Sequence, residues 1–326
     1  MTGKGFQALW VAITAAMWCA SMSAVYAQGD YPSRSIKIVV PVSAGGAPDV
    51  VARLIADKLS ERFRQPVIVE NRPGAGERIG AEYVAKAAPD GYTVLATPPG
   101  VLVIAPHLYR KLPFDAAAFV PVSVLTRGHL LLVARPTIAA ASVLELVALA
   151  KANPGKLTYA SPGAGTPPHL TGEMFKAAAG IQTTHVPYKG LAPAVADLLA
   201  GHVDFMFDNI GNSLPHIRAG RLKVLGIASE ARISELPNVP TIAETFPAVT
   251  SSSWFGMVAP PKTSAAIAIK LSQAIADVLK LPDVTAKLRA MSFTPVGSSP
   301  AEMVAVLRQD SQRWQSVIAA AEIKRE

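Results

Sequence analysis

The chain has 326 residues, half of them hydrophobic and 17% charged, which excludes an intrinsically disordered protein and predicts enough core for two domains. Its formal net charge of +8 is scattered, without a basic block or interleaved aromatic residues, and this argues against nucleic acid as a partner. A mild positive field favours a small anionic ligand.

The first 27 residues have the pattern of a secretory signal peptide. Lys4 precedes an apolar run at 9–20, and Val25-Tyr26-Ala27 supplies small residues at the cleavage position. The run is too short for a membrane span. Cys19, the single cysteine, lies in this segment, so the exported chain is expected to lack disulfides, thiol catalysis and cysteine metal sites. The expected location is the periplasm.

A strand, a glycine turn and a helix open the remaining chain. Ile38-Val39-Val40 predicts a buried strand, and apolar residues at helical spacing in 50–59 predict a helix. Between them, Gly45 and Gly46 permit a tight turn and close approach of a ligand to the backbone. Free N–H groups at the positive end of a helix suit an anion, so the loop 43–49 is a predicted anion site.

Strands and helices then alternate along the chain. Short apolar strands at 67–69 and 92–96 are each followed by a glycine- or proline-containing loop. The order strand, glycine turn, proline, helix recurs at 157–168, and capping boxes begin at Ser142 and Ser299. The pattern predicts an α/β fold with parallel sheets covered by helices.

The alternation also predicts two lobes. A second α/β unit begins near Leu130, and the chain becomes mainly helical after Trp254. We therefore expect a discontinuous lobe 1 formed by 30–127 and 253–326, and a lobe 2 formed by 128–252. Two segments would cross between them.

Five stretches of the sequence together resemble the Bug family, the TctC-type extracytoplasmic solute receptors of the tripartite tricarboxylate transporter class. They are YPSRSIKIVVPVSAGGAPDVVARLIADKLSERF, VIVENRPGAGERIGAEYVAKAAPDGYTVL, KLTYASPGAGTPPHLTGEMF, HVPYKGLAPAVADLLAGHVDFMFDN and SSSWFGMVAPPKT. The resemblance implies a two-lobed, type II-like periplasmic binding protein. It implies a dicarboxylate, acidic amino acid or aromatic acid as ligand, and membrane transporter subunits as partners. We further expect a monomer, without metal or cofactor.

The resemblance places the ligand between the lobes. The implied ligand-binding residues come from the first loop, the loop after the third strand, the facing loop of lobe 2 and the end of a lobe 2 strand. They are Val42, Ser43, Ala44, Gly45, Gly46, Ala47, Asp49, Thr97, Gly163, Ala164, Gly165, Thr166, His169 and Asp208. Helix dipoles and backbone N–H groups would stabilise the negative charge of the ligand, helped at most by a peripheral Lys189.

Four of these residues have a second interpretation. Asp49 contacts the ligand or braces its own loop, and Thr166 contacts the ligand or caps the next helix. Asp208 faces the cleft or ends its strand through Asx-turn bonds. His169 lies four residues before Glu173, a spacing compatible with a metal, yet no third ligand is evident. His169 is instead expected to orient Thr166 or a water.

The sequence departs from the family pattern at several positions. Val42 replaces an aromatic residue, Pro48 replaces a hydroxyl residue, and the loop 97–100 is stiff and poor in donors. Glu77-Arg78 stands where Gly-Asn is usual. These changes leave the carboxylate anchor in place and predict a more apolar far end of the pocket.

Signatures of catalysis are lacking in the sequence. There is no Gly-x-Ser-x-Gly elbow and no phosphate loop, and Gly74-x-Gly76 with Gly80 matches a dinucleotide fingerprint only with its third glycine one residue late. The prediction is a binding receptor and not an enzyme. Two alternatives stay open: a sensing subunit that presents its ligand to a signalling partner, and an enzyme on the same scaffold.

Overall fold

The structure, a computed structural model, describes residues 31–320. The predicted signal peptide, 1–27, lies outside this range. The strands are β1 (Ile36–Val40), β2 (Val67–Asn71), β3 (Thr93–Thr97), β4 (Val120–Ala134), β5 (Thr158–Ser161), β6 (Thr184–Pro187), β7 (Phe205–Asn209), β8 (Lys223–Ile227), β9 (Ser252–Ala259) and β10 (Thr294–Pro295).

Helices separate most of these strands, as the alternating pattern predicts. The α-helices are α1 (Ala47–Phe63), α2 (Arg78–Ala85), α3 (Ala105–Leu108), α4 (Val143–Ala152), α5 (Pro167–Ala179), α6 (Leu191–Ala200), α7 (Ile210–Arg218), α8 (Ala265–Leu279), α9 (Pro282–Ala290) and α10 (Pro300–Ala320). A π-helical segment, Gly100–Ile104, precedes α3. Within residues 31–320, no helix is both long and apolar enough to cross a membrane.

Two half-sheets meet on the long strand β4. In the described chain the strand order is β2-β1-β3-β9-β4-β7-β5-β6, with β8 and β10 also paired to β4. The pairs β1–β2, β1–β3, β5–β6 and β5–β7 are parallel, whereas β9 and β7 run antiparallel to β4. The expected α/β fold with two lobes is therefore confirmed.

Two segments connect the half-sheets. Along β4, the residues up to His129 pair with β9, and those from Leu130 onward pair with β7. The return occurs at Ser251, whose N–H donates to Ala228 O at 2.8 Å, while the next residue, in β9, pairs with His129. At each crossing, backbone hydrogen bonds therefore hold the chain both before and after the point where it changes the strand with which it pairs.

Alternate residues of β4 belong to different cores. Leu130 and Leu132 pack into a cluster that continues through both half-sheets, whereas Leu131 and Val133 pack on the helices of the second half. This alternation is the period of a strand covered on both faces. Each such buried side chain contributes about 1.5–3 kcal/mol by leaving water.

The C-terminal helices pack on the first half-sheet. Alternate residues of β1, such as Ile38 and Val40, share a core with α1 and with Leu271 and Ile275 of α8. Helix α10 is tied to the crossing strand β9, since Trp254 Nε1 donates to the buried Asp310 Oδ2 at 2.6 Å.

The two predicted capping boxes differ in the structure. Ser299 Oγ accepts from Glu302 N–H at 3.2 Å, and Glu302 Oε2 accepts from Ser299 N–H at 2.7 Å, which completes the box. Ser142 Oγ accepts from Glu145 N–H at 3.2 Å, but Glu145 Oε2 accepts from Ala141 N–H instead. The second half of that box is one residue displaced.

Candidate functional site

The first loop joins β1 to α1 at the carboxyl edge of the first half-sheet. Gly45 has a φ of +85°, which favours glycine, and Gly46 is the extended N-cap of α1. Val50 N–H donates to Gly46 O at 3.0 Å, whereas the N–H groups of Gly46 and Ala47 make no hydrogen bond to the described chain. Two donors therefore remain available at the positive end of a 17-residue helix.

Asp49 braces this loop from within the first turn of α1. Its Oδ2 accepts from Gly45 N–H at 2.9 Å and from Arg53 Nε at 3.0 Å, and its Oδ1 accepts from Asn71 Nδ2 at 2.9 Å. Burial alone would raise the pKa of Asp49, but these hydrogen bonds hold it below its usual value. The geometry favours the bracing interpretation because both carboxylate oxygens have partners in the chain.

Two residues of this brace were not among the predicted site residues. Asn71 Nδ2 also donates to Val42 O at 3.1 Å, and Arg53 Nη2 donates to Asn71 Oδ1 at 2.9 Å. Arg53 could have been found from its i, i+4 spacing to Asp49. Asn71 could have been found because β2 ends beside β1 in a parallel pair.

The second loop, 162–166, joins β5 to α5, and most of its backbone N–H groups are used in hydrogen bonds within this segment of the chain. Gly163 N–H donates to Ser161 Oγ at 3.2 Å, Gly165 N–H donates to His169 Nδ1 at 3.1 Å, and Thr166 N–H donates to Gly163 O at 3.3 Å. Helix α5 then begins with two prolines, which have no N–H. Within this described loop, only the N–H of Ala164 lacks a hydrogen bond.

Thr166 and His169 shape this loop in ways that the sequence did not indicate. Thr166 occupies the N-cap position of α5, but its Oγ1 donates to Gly163 O at 2.7 Å, so its side chain makes no capping hydrogen bond to the helix. His169 Nδ1 accepts from the backbone N–H of Gly165, and within residues 31–320 His169 makes no hydrogen bond to Thr166.

A second histidine, missed by the sequence analysis, supports His169. The His185 ring stacks on the His169 ring with centroids 4.1 Å apart, and His185 Nε2 lies 2.7 Å from Ser161 Oγ. Burial lowers the pKa of His169 to about 4 and that of His185 to about 3. Both rings are therefore neutral at pH 7, as the acceptor role of His169 Nδ1 requires.

The pair of His169 and Glu173, considered above as metal ligands, has other partners. Glu173 accepts from the Tyr159 hydroxyl and from Lys176 Nζ at 2.9 Å. Across residues 31–320, no group of three or more His, Cys, Asp or Glu side chains could hold a metal ion.

Asp208 and Thr97 are both fully buried. Asp208 accepts from Ser213 Oγ at 2.7 Å, from Asn209 N–H at 2.7 Å and from Asn212 Nδ2 at 3.2 Å, which supports its interpretation as a strand-ending residue. Burial raises the pKa of Asp208 to about 6. Thr97 is fully buried and donates its hydroxyl to the next carbonyl, of Pro98, at 2.9 Å.

The loops of the two half-sheets face each other closely. A Cβ built on Gly190 would lie 3.8 Å from Ser43 Oγ, and Gly190 N–H donates to Pro162 O at 3.0 Å beside the second loop. A Cβ built on Gly76 would lie 3.3 Å from Ala164 O. The predicted loops are therefore brought to one cleft, with glycines where the backbones approach.

Glu77 is the most unusual residue of this cleft, and it was not among the predicted site residues. It has a φ of +74° and only 9% of its surface is exposed. Its Oε2 atom is buried without a hydrogen-bond partner in the described chain, and burial raises the pKa of Glu77 to about 8. A Cβ built on Gly100 would lie 3.2 Å from this oxygen and 3.7 Å from Gly165 O, which places Glu77 between the lobes.

A surface depression elsewhere is unrelated to these loops. Its lining includes Arg34, Lys37 and Tyr92, at the amino ends of β1 and β3. Ligands of parallel α/β sheets bind beyond the carboxyl ends of the strands, which is the opposite edge.

Two lobes, two crossings and a cleft lined by strand-to-helix loops define a solute-binding protein. A family model described as the tripartite tricarboxylate transporter family receptor matches residues 51–323, and the chain belongs to this family. It is a family of binding receptors.

Related proteins and solved structures support the same family assignment. Protein BugT of Bordetella pertussis is 36% identical over 302 residues, covering 92% of this chain and 93% of that protein. Rpa4515 of R. palustris with adipate has a TM-score of 0.87 at 37% identity, covering 90% of this chain and 99% of that one. MatC (Rpa3494) from Rhodopseudomonas palustris with bound malate has a TM-score of 0.83 at 32% identity, covering 88% and 100%.

Proposed function

We propose that this protein is a monomeric periplasmic receptor that binds a small organic carboxylate between its lobes and delivers it to membrane transporter subunits. The observation that carries the proposal is the pair of unbonded N–H groups, Gly46 and Ala47, at the start of α1. The similarity to structures holding adipate and malate supports a carboxylate as the ligand. The lobes would divide where β4 and the segment at Ser251 change partners.

Anion binding at this position needs no cationic side chain. The helix dipole provides roughly half a positive charge at the N-terminus, and each hydrogen bond to a carboxylate contributes about 1.5–3 kcal/mol. The negative charge of Asp49 at the same helix end is offset by Arg53, 3.0 Å away. The hydrogen bonds from Asn71 to Val42 O and to Asp49 fix the shape of this loop. The remaining predicted residues of both loops would complete the site.

Replacing Gly46 by leucine tests this proposal. Gly46 has a φ of −74°, which any residue adopts, and a Cβ there would be 3.6 Å from its nearest neighbour, Ser43 O. The fold should therefore remain intact while the larger side chain covers the N–H pair. We expect calorimetric titration with dicarboxylates, amino-carboxylates and aromatic acids to show binding by the wild type and none by the variant, with unchanged melting temperature.

Ala88→Leu is the matched control, since Ala88 is exposed in the depression at the opposite edge. It should bind like the wild type. Undiminished affinity in the Gly46→Leu protein would contradict the proposed site.

A further inference from the structure

We propose that Glu77 is a specificity-determining residue that accepts hydrogen bonds from an ammonium group of the ligand, so that the receptor selects amino-carboxylates over dicarboxylates. This inference rests on the proposed function and adds to it a second charged group of the ligand, the ammonium group.

Two independent costs coincide at Glu77. A non-glycine residue at a φ of +74° is disfavoured because its Cβ crowds the following carbonyl. A buried carboxyl oxygen without a partner adds the cost of leaving water without gaining a hydrogen bond. Strained residues that carry unpaired buried polar atoms concentrate at ligand-binding sites, where the ligand supplies the missing partner.

The unpaired oxygen lies beside an acceptor of the other lobe. Glu77 Oε2 and Gly165 O are 3.2 Å and 3.7 Å from the same point, the position of a Cβ on Gly100. Gly100 carries no side chain that would separate the carboxyl oxygen from this carbonyl oxygen. Two acceptors that come from opposite lobes and lie this close suit a ligand group with several N–H donors.

The facing loop adds to this polarity. It has used the N–H groups of Gly163, Gly165 and Thr166 internally, while Ala164 O lies 3.3 Å from a Cβ built on Gly76, the neighbour of Glu77. The first loop, in contrast, offers the N–H groups of the α1 terminus. The cleft therefore has a donor region and an acceptor region, matching a ligand with a carboxylate and an ammonium group.

The protein does not neutralise Glu77 by itself. In the described chain, Glu77 has no ion pair, and the guanidinium of the adjacent Arg78 lies 3.7 Å over the Tyr109 ring and donates to Ala75 O at 2.7 Å. Burial consequently keeps the pKa of Glu77 near 8 in the unliganded protein. A cationic ligand group would supply the counter-charge, whereas a second carboxylate would add repulsion.

Calorimetric titration with matched ligands tests the inference. At four-, five- and six-carbon chain lengths, the wild type is titrated with the diacid, the ω-amino acid and the monoacid; the six-carbon set is adipate, 6-aminohexanoate and hexanoate. At the length that fits the cleft, the amino acid should bind at least about tenfold tighter than the diacid. Glu77→Gln, which has the same shape without the charge, should weaken the amino acid about tenfold and the monoacid less than about twofold.

Glu82→Gln is the control, because Glu82 lies on α2, the helix that begins directly after Glu77, and pairs with Lys86. It should keep the wild-type preference. Diacids binding better than amino acids, or an amino-acid affinity unchanged in Glu77→Gln, would overturn the role of Glu77 while leaving carboxylate binding intact. Failure of all the compounds, monoacids included, to bind the wild type would overturn the proposed function together with this inference.

Discussion

Glu77→Gln should change how the stability of the unliganded protein depends on pH. The side chain is 9% exposed, and burial raises its pKa from 4.5 to about 8. Between these two values the unfolded state is ionised while the folded state retains the proton. Raising the pH therefore favours unfolding, and the stability present below pH 4.5 is lost as the pH rises toward 8.

The size of this effect follows from the same two pKa values. Integrating the difference in bound protons between the unfolded and folded states from pH 5 to pH 8 gives a loss of about 3 kcal/mol in the free energy of unfolding of the wild type. The amide variant does not share this loss. Other buried acids, such as Asp208 and Asp310, titrate in both proteins and cancel in the comparison.

Urea denaturation at pH 5 and pH 8 measures this difference directly. We expect the variant to gain about 3 kcal/mol of unfolding free energy over the wild type between the two pH values. Parallel behaviour, with a difference below about 1 kcal/mol, would refute the claim that Glu77 is buried without a partner. Glu82→Gln, at a partly exposed site, should follow the wild type.

Three further substitutions test the loop brace, the core and the crossing. Asp49→Ala removes three hydrogen bonds and should weaken carboxylate binding about tenfold in calorimetry, since the first loop loses its fixed shape. Gly172→Ala places a Cβ against the buried Tyr159 ring and should cost about 1–3 kcal/mol in urea denaturation. Trp254→Phe leaves the buried Asp310 without its 2.6 Å donor and should cost about 1–3 kcal/mol, less when Asp310→Leu is added.

Local features of the fold could be predicted from the sequence. The β-branched run, the glycine pair and the helical spacing near 43–49 specify β1, a turn and α1, because each depends on residues close in the chain. The return of the same pattern at 157–168 specifies β5 and α5 for the same reason.

The partners inside the site were beyond prediction because they depend on long-range packing. His185 meets His169 only because β6 pairs with β5, and the parallel register sets His185 opposite Tyr159. Glu77 was visible as a departure from the family pattern, yet the position of its carboxyl group beside Gly100 brings together residues that are distant in the chain.

The asymmetry of the two loops bears on the order of binding. Lobe 1 holds its two free donors in a braced loop that needs nothing from lobe 2, so a carboxylate can dock there first. Lobe 2 presents mainly acceptors, since His169 takes the N–H of Gly165. A ligand without a second, donating group would satisfy one lobe and leave Glu77 unpaired. On the proposed ligand, the ammonium group links both lobes through Glu77 and Gly165 O, and this makes the closed arrangement selective as well as stable.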